Sequence, residues 1–275
     1  APRLGGQQRW LLVDEDHGLL EQVPRCTAAW ARRCSVRTQQ QGDALWLNGA
    51  NFKAEVRTVQ LDLANGLETL ETGDAPLLTA SALLDLVSQT WLERLIGMAR
   101  RTHASLLLAL SYDGRIALEP GIELDAQVAA LVNQHQLTDK GFGAALGPAA
   151  VGVAEQALRS SGFSVHTARS DWLIGAATAR RVGASACRGT PARQDPGSPV
   201  DACIDTVDGT ALRRALIDGW CSAAIAMAPE RAAALEAWRT RRLAAVSAAG
   251  SVTRVGHQDL LALPQLRSGE PLQVG

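Results

Sequence analysis

Acidic residues fall where short apolar runs end. Trp10-Leu11-Leu12-Val13 leads into Asp14, with Asp16 close behind, and a second run from Lys53 to Leu61 leads into Asp62. A carboxylate in such a place can accept two hydrogen bonds from a ribose diol, each charge-assisted and worth roughly 1.5–3 kcal/mol. A second carboxylate can accept from the exocyclic amine of a purine. The competing role for any one strand-end aspartate is a helix N-cap, its oxygen accepting a backbone N–H. Tyr112 and Asp113 follow the run Ser105 to Leu110, where they could orient a substrate or accept a proton. Asp113-Gly114 is equally a plain turn sequence. His135, Asp139 and Lys140 surround a glycine-rich stretch, either as a lid and base or as a capped helix end and solvated loop. Asp85 either points into a cleft from the start of its helix or serves the helix dipole.

Other chemistries lack their residues. The chain has no G-x-S-x-G, no G-x-x-x-x-G-K-[ST] and no H-E-x-x-H. Gly141-Phe142-Gly143 followed by Gly147 imitates a dinucleotide loop, but it follows a helical segment instead of a strand, the wrong context for cradling a pyrophosphate. The five cysteines, Cys26, Cys34, Cys187, Cys203 and Cys221, show no C-x-x-C pair and no metal-like spacing with the histidines. No metal is expected, and the thiols read as free in a reducing cytoplasm. With 27 basic and 28 acidic residues the net charge is −1, and the arginine doublets are scattered. Phosphate backbones need clustered positive charge, so no nucleic-acid partner is expected. No apolar run approaches the ~20 residues of a membrane span, and no signal-peptide pattern opens the chain. A small-molecule substrate is the remaining expectation, with oligomeric state open.

Short strands alternating with helical patterns must position these residues, which predicts an α/β class with a doubly wound, mostly parallel sheet. Strands are expected at Arg9 to Asp14, Ala44 to Leu47, Lys53 to Leu61, Pro76 to Ala80, Ser105 to Leu110, Phe163 to Ala168 and Thr253 to Leu263. Asn48-Gly49 reads as a tight hairpin turn whose positive backbone dihedrals suit that pair. Helices are expected near His17 to Ala31, Ala82 to Met98, Asp125 to His135, Pro148 to Ser161, Thr210 to Met227 and Pro229 to Val246. The 275 residues form one domain in this reading, with a hairpin insertion at about 35–58. Residues 176–208, rich in Gly, Pro, Ser, Asp and Arg, read as a flexible insertion.

Several blocks together resemble the class I S-adenosylmethionine-dependent methyltransferases, in an uncharacterised bacterial branch. They are Trp10-Leu11-Leu12-Val13-Asp14-Glu15-Asp16, the pair Asp62-Leu63, and the run Leu78 to Val87. The later blocks are His135 to Gly143 and Gly256-His257-Gln258-Asp259-Leu260-Leu261-Ala262-Leu263-Pro264. The resemblance implies a Rossmann-like sheet whose last strand is antiparallel, and S-adenosyl-L-methionine as cofactor. By this likeness Asp14, with Asp16 beside it, holds the ribose, Asp62 and Leu63 the adenine, and Ser81 with Ala82 the methionine end. Tyr112, Asp113 and His135 become candidates for catalysis, and Asp85, Asp139 and Lys140 for holding the substrate. The family opens with a strand and a glycine-rich loop, and neither precedes Arg9 here. The resemblance therefore implies a sheet incomplete at its N-terminus, with residues upstream of Ala1 missing and an unpaired gap between the Trp10 and Leu78 strands.

The expected function is thus cytoplasmic methyl transfer to a small molecule by in-line displacement. The alternative is a truncated or non-catalytic Rossmann-like binding or scaffold protein that has lost its cofactor loop. A nicotinamide-dependent oxidoreductase also uses a strand-end acid, but gives Asp62-Leu63 and Ser81 no natural role.

Overall fold

Alternating burial along Trp10, Leu12 and their neighbours is what makes the first strand, because one face meets a core. The structure is a computed structural model and describes residues 2–175, 209–248 and 250–265. The predicted insertion at 176–208 lies outside the described residues. The chain divides into two compact units, one reaching Leu67 and the other starting at Glu68.

In the first unit β1 (Gly6–Asp14), β2 (Arg37–Gln41), β3 (Ala44–Asn48) and β4 (Phe52–Gln60) form one sheet in the order β1-β4-β3-β2. β1 and β4 run parallel, in register from Gly6 opposite Phe52 to Asp14 opposite Gln60. The predicted hairpin is present, as β3 and β4 pair antiparallel. Its turn corrects the expected geometry: neither Asn48 nor Gly49 adopts a positive φ. Gly49 is needed for space instead, since a Cβ there would lie 2.1 Å from the Phe52 ring. Leu45, Leu47, Phe52, Ala54 and Val56 make the core, and Trp10, Leu12, Val23 and Trp30 pack against it. α1 (His17–Arg33) supplies Val23 and Trp30; Asp16 caps its start, and Arg32 and Arg33 complement the dipole at its end. A single helical turn, α2 (Leu63–Gly66), follows β4.

In the second unit the main sheet runs β5-β6-β9-β7, built from β5 (Leu77–Ser81), β6 (Ser105–Glu119), β7 (Phe163–Arg169) and β9 (Val252–Pro264). β8 (Trp172–Gly175) pairs with the far end of β9. β5 and β6 are parallel, and β9 is antiparallel to β6, β7 and β8, as the expected last strand should be. The protein is a mixed α/β chain. Only two of its described strand pairings are parallel, fewer than a mostly parallel sheet implies. The reason is local: the β2–β4 meander fills one sheet, and β9 inserts between β6 and β7. β1 and β5 are terminal strands of their respective sheets.

α3 (Gln89–Arg101) buries Trp91, Leu92, Leu95, Ile96, Met98 and Ala99, the i, i+3, i+4 stripe of an amphipathic helix. It starts seven residues later than predicted, because Ser88 caps it and residues 82–88 form irregular backbone with Leu84, Asp85 and Val87 buried. α4 (Asp125–Gln136), α6 (Gly209–Met227) and α7 (Ala232–Ala245) enclose a second core that includes Tyr112, Val128, Ile217, Trp220, Leu235 and Trp238. α5 (Ala150–Ser160) packs beside α3 and against β7. Among the described residues no helix is long and apolar enough to cross a membrane.

Candidate functional site

One set of polar residues lies beyond the carboxyl ends of a parallel strand pair, the side on which open α/β sheets bind ligands, and a second follows β5 and lines the bulged stretch of β6 against β9. The first belongs to the first unit. Asp14 ends β1, and its backbone carbonyl accepts the Leu61 N–H at 2.9 Å, so the chain leaving β4 is tied to the end of β1. Asp62 follows directly, which places both carboxylates at the same end of the parallel pair. Asp14 Oδ1 accepts the Asp16 N–H at 2.9 Å, while Oδ2 has no partner among the described residues.

The two neighbouring acids are more committed. Asp16 Oδ1 accepts the Leu19 N–H at 3.2 Å and Asp62 Oδ1 the Ala64 N–H at 2.8 Å, each as an N-cap. Asp62 Oδ2 accepts from Asn65 Nδ2 at 2.7 Å. That bond, followed by the Ala64 N–H, holds the Asp62 carboxyl below the usual carboxylate range. Asp62 is therefore a charged acceptor at neutral pH, fixed in direction by its own cap. Leu63 opens α2 beside it.

The second set lies in the second unit. Ser81 ends β5 opposite Ala109 of β6. Ala82, just beyond, and Leu110 both hold φ of +54°, a left-handed conformation that costs a side-chain-bearing residue energy and clusters at ligand-binding places. β6 does not turn at Asp113-Gly114; it runs on to Glu119 with two bulges against β9, one between Leu108 and Ser111 and one between Tyr112 and Ile116. Gly114 takes φ +87° within the second bulge. Bulges bend a strand and re-aim its side chains. Between them the pair Ser111–Tyr112 faces Gln258–His257.

Each bulge is fastened by a carboxylate. Asp259 Oδ1 accepts the Leu110 N–H at 2.8 Å and Ser170 Oγ at 2.7 Å. Arg115 bridges Asp113 and Asp171, reaching Asp171 Oδ1 at 2.6 Å and Oδ2 at 3.0 Å. Those carboxylates raise the Arg115 guanidinium further above its usual range, and Arg115 holds Asp171 below the carboxylate range. Gly256 lies beneath this bridge, where a Cβ would come within 2.7 Å of Arg115 Cβ.

Asp85 is buried and accepts the Tyr112 N–H at 3.3 Å. Burial pushes its carboxyl above the usual range, an effect partly offset by its own N–H, by the Tyr112 N–H and by the neighbouring His257. Tyr112 donates its hydroxyl to Asn133 Oδ1 at 2.7 Å, and Asn133 donates to the Gly114 carbonyl at 3.0 Å. Burial, with Asp113 and Asp85 nearby, drives the Tyr112 phenol far above its usual range, so it remains protonated. Ser111 Oγ is completely buried and has no hydrogen-bond partner among the described residues.

His135, Asp139 and Lys140 come together as one loop. Lys140 Nζ donates to the His135 carbonyl at 3.1 Å and to Thr138 Oγ1 at 2.9 Å, and lies 3.3 Å from His135 Nδ1. Burial first, then this ammonium, lowers the His135 imidazole below its usual range. Asp139 Oδ1 accepts both the Gly141 and Gly143 N–H groups, at 2.7 and 2.9 Å. The amides that imitate a phosphate cradle are thus occupied by the chain's own carboxylate.

His257, Asp171 and Asp259 were not singled out from sequence, although His257 and Asp259 stood in a quoted block. Among the described residues no cluster of three or more His, Cys, Asp or Glu could hold a metal ion.

Comparison with known proteins gives structural likeness alone. No family profile and no curated protein sequence matches the chain. Among solved structures it is similar to cyclopropane synthases. One is "mycolic acid cyclopropane synthase CmaA1 complexed with SAH and CTAB", at 10% identity over 93% of this chain and 78% of that one, with a TM-score of 0.35. Another is the cyclopropane synthase MmaA2 from Mycobacterium tuberculosis, at 8% identity over 94% and 78%, also with a TM-score of 0.35.

Proposed function

We propose that the protein is an S-adenosylmethionine-dependent methyltransferase acting on a small molecule. The observation that carries this reading is the placement of Asp14 and Asp62 at the same end of the parallel pair β1/β4. The acceptor set fits an adenosine: Asp14 Oδ2 is open to ribose hydroxyls, and Asp62 keeps acceptor capacity on a carboxylate that stays ionised. Asp14 would hold the ribose, with the Asp16 N–H orienting its carboxylate through Oδ1, and Asp62 with Leu63 would hold the adenine. When bound, the cofactor supplies an electrophilic methyl on a sulfonium. The protein's part is to bind and orient, which can account for much of such a rate.

The near-neutral charge and scattered arginines support a small-molecule acceptor over nucleic acid. Cys26 and Cys221 are free thiols, which supports a reducing, cytoplasmic setting. One finding favours the alternative, a non-catalytic binding or scaffold chain: Asp16 and Asp62 each already serve as a helix cap. Incubation with methyl-tritiated S-adenosylmethionine and a panel of small nucleophiles separates the two. Label in the small-molecule fraction supports the enzyme, and its absence from every acceptor supports the alternative.

A further inference from the structure

The Asp14 carboxylate can serve a ribose only if it is held, because rotation about the bond that carries the carboxylate is broad and weakly restrained. The Asp16 N–H holds it, donating to Oδ1 at 2.9 Å. That N–H shares its peptide group with the Glu15 carbonyl. The peptide is trans, so the two groups point in opposite directions across one rigid plane. On the carbonyl side Gln60 Nε2 donates to the Glu15 oxygen at 3.0 Å. Gln60 is the last residue of β4 and stands opposite Asp14 in the parallel register. Its side chain thus grips the plane by the oxygen and aims the nitrogen at the carboxylate.

The neighbouring carbonyls show what is particular to this one. Asp14 O accepts the Leu61 N–H, and Asp16 O accepts the Leu19 and Leu20 N–H groups. Those bonds are backbone to backbone, made by the chain leaving β4 and by the first turn of α1. Of the three successive carbonyls, that of Glu15 is the one satisfied by a side chain, and so the one that a substitution can release. Gln60 is exposed, so changing it disturbs no core.

Building on the adenosine reading of this site, we propose that Gln60 is its positioning residue. Gln60 fixes the Glu15–Asp16 peptide, the peptide fixes Asp14 through Oδ1, and Oδ2 is left set for the ribose hydroxyls. A carboxylate ordered before the ligand arrives spares binding the cost of ordering it. The bond to the Glu15 oxygen also polarises the peptide and strengthens the N–H at its other end.

Gln60→Met keeps the length of the side chain and deletes its N–H donor. Calorimetric titration of the full chain with S-adenosylhomocysteine should show binding about 3- to 10-fold weaker than wild type, the worth of one hydrogen bond. In an Asp14→Ala background the same substitution should change affinity by less than about twofold, because Gln60 acts through that carboxylate. A purely structural role would give equal losses in both backgrounds. That result overturns the proposal, as does unaltered affinity in the single variant. A second readout needs no ligand: amide hydrogen exchange at Asp16, followed by nitrogen-15 NMR and assigned by the loss of its signal in Asp16→Asn. Exchange should be at least about threefold faster in Gln60→Met, and an unchanged rate overturns the proposal. Failure of the wild-type chain to bind S-adenosylhomocysteine would instead remove the adenosine reading, and the exchange rate would still decide whether Gln60 sets that peptide.

Discussion

Asp14 and Asp62 stand at one end of two strands that run side by side in the same direction. Asp14 is opposite Gln60, and Asp62 comes two residues further along the partner chain. A parallel pair in this register cannot place the two acids at opposite ends. The Leu61 N–H bonded to the Asp14 carbonyl fixes the chain as it crosses between them.

The Asp62 carboxylate has two duties that substitution can separate. Asp62→Asn keeps an oxygen able to cap α2, whereas Asp62→Ala removes the cap. We expect Ala to cost about 0.5–2 kcal/mol in urea unfolding and Asn to cost less. Both should weaken binding of S-adenosylhomocysteine, because the charged acceptor is lost in each. An Asn variant with unaltered affinity would leave Asp62 with its cap alone.

Asp85 should make stability depend on pH. Its folded-state value lies above the ordinary 3.8, because burial penalises the charged form. From 3.8 upward the folded chain holds a proton that the unfolded chain has released, so stability falls as pH rises through that interval and then levels off. Asp85→Asn lacks this loss. Its stability relative to wild type should therefore be greater at neutral pH than below pH 3.8. Urea midpoints measured across that range decide the matter, and two parallel curves would refute it.

Tyr112 was a catalytic candidate on sequence, and the structure gives its hydroxyl to Asn133. Tyr112→Phe leaves Asn133 Oδ1 without that donor, which should cost about 1–3 kcal/mol of stability. Turnover should stay within about tenfold of wild type, since proton transfer through a positioned group contributes more than that. A loss near 1,000-fold with the fold intact would return the phenol to the chemistry.

What could be read from the sequence follows from how much each residue's neighbours lie nearby in the chain. The β1 run ending in Asp14 and the β9 run ending in Pro264 announce themselves by their apolar residues, half-buried in alternation along β1 and largely buried along β9. β2 did not, because Arg37–Gln41 is polar and exposed throughout and is a strand by virtue of its pairing with β3. The burial of Asp85 before α3 brings it to the Tyr112 N–H, 27 residues away, a contact that no local pattern records. The caps at Asp16 and Asp62 were legible as alternatives, and both oxygens take them. His257 was hidden for the opposite reason. It sits inside a continuous strand, and only the bulges of β6 opposite it set it apart.

The central claim concerns one carboxylate, and calorimetric titration of the chain with S-adenosylhomocysteine addresses it directly. Wild type should bind. Asp14→Ala should bind about 10- to 150-fold more weakly, the equivalent of the roughly 1.5–3 kcal/mol that a charge-assisted hydrogen bond contributes. Equal affinities in a folded variant would contradict the account.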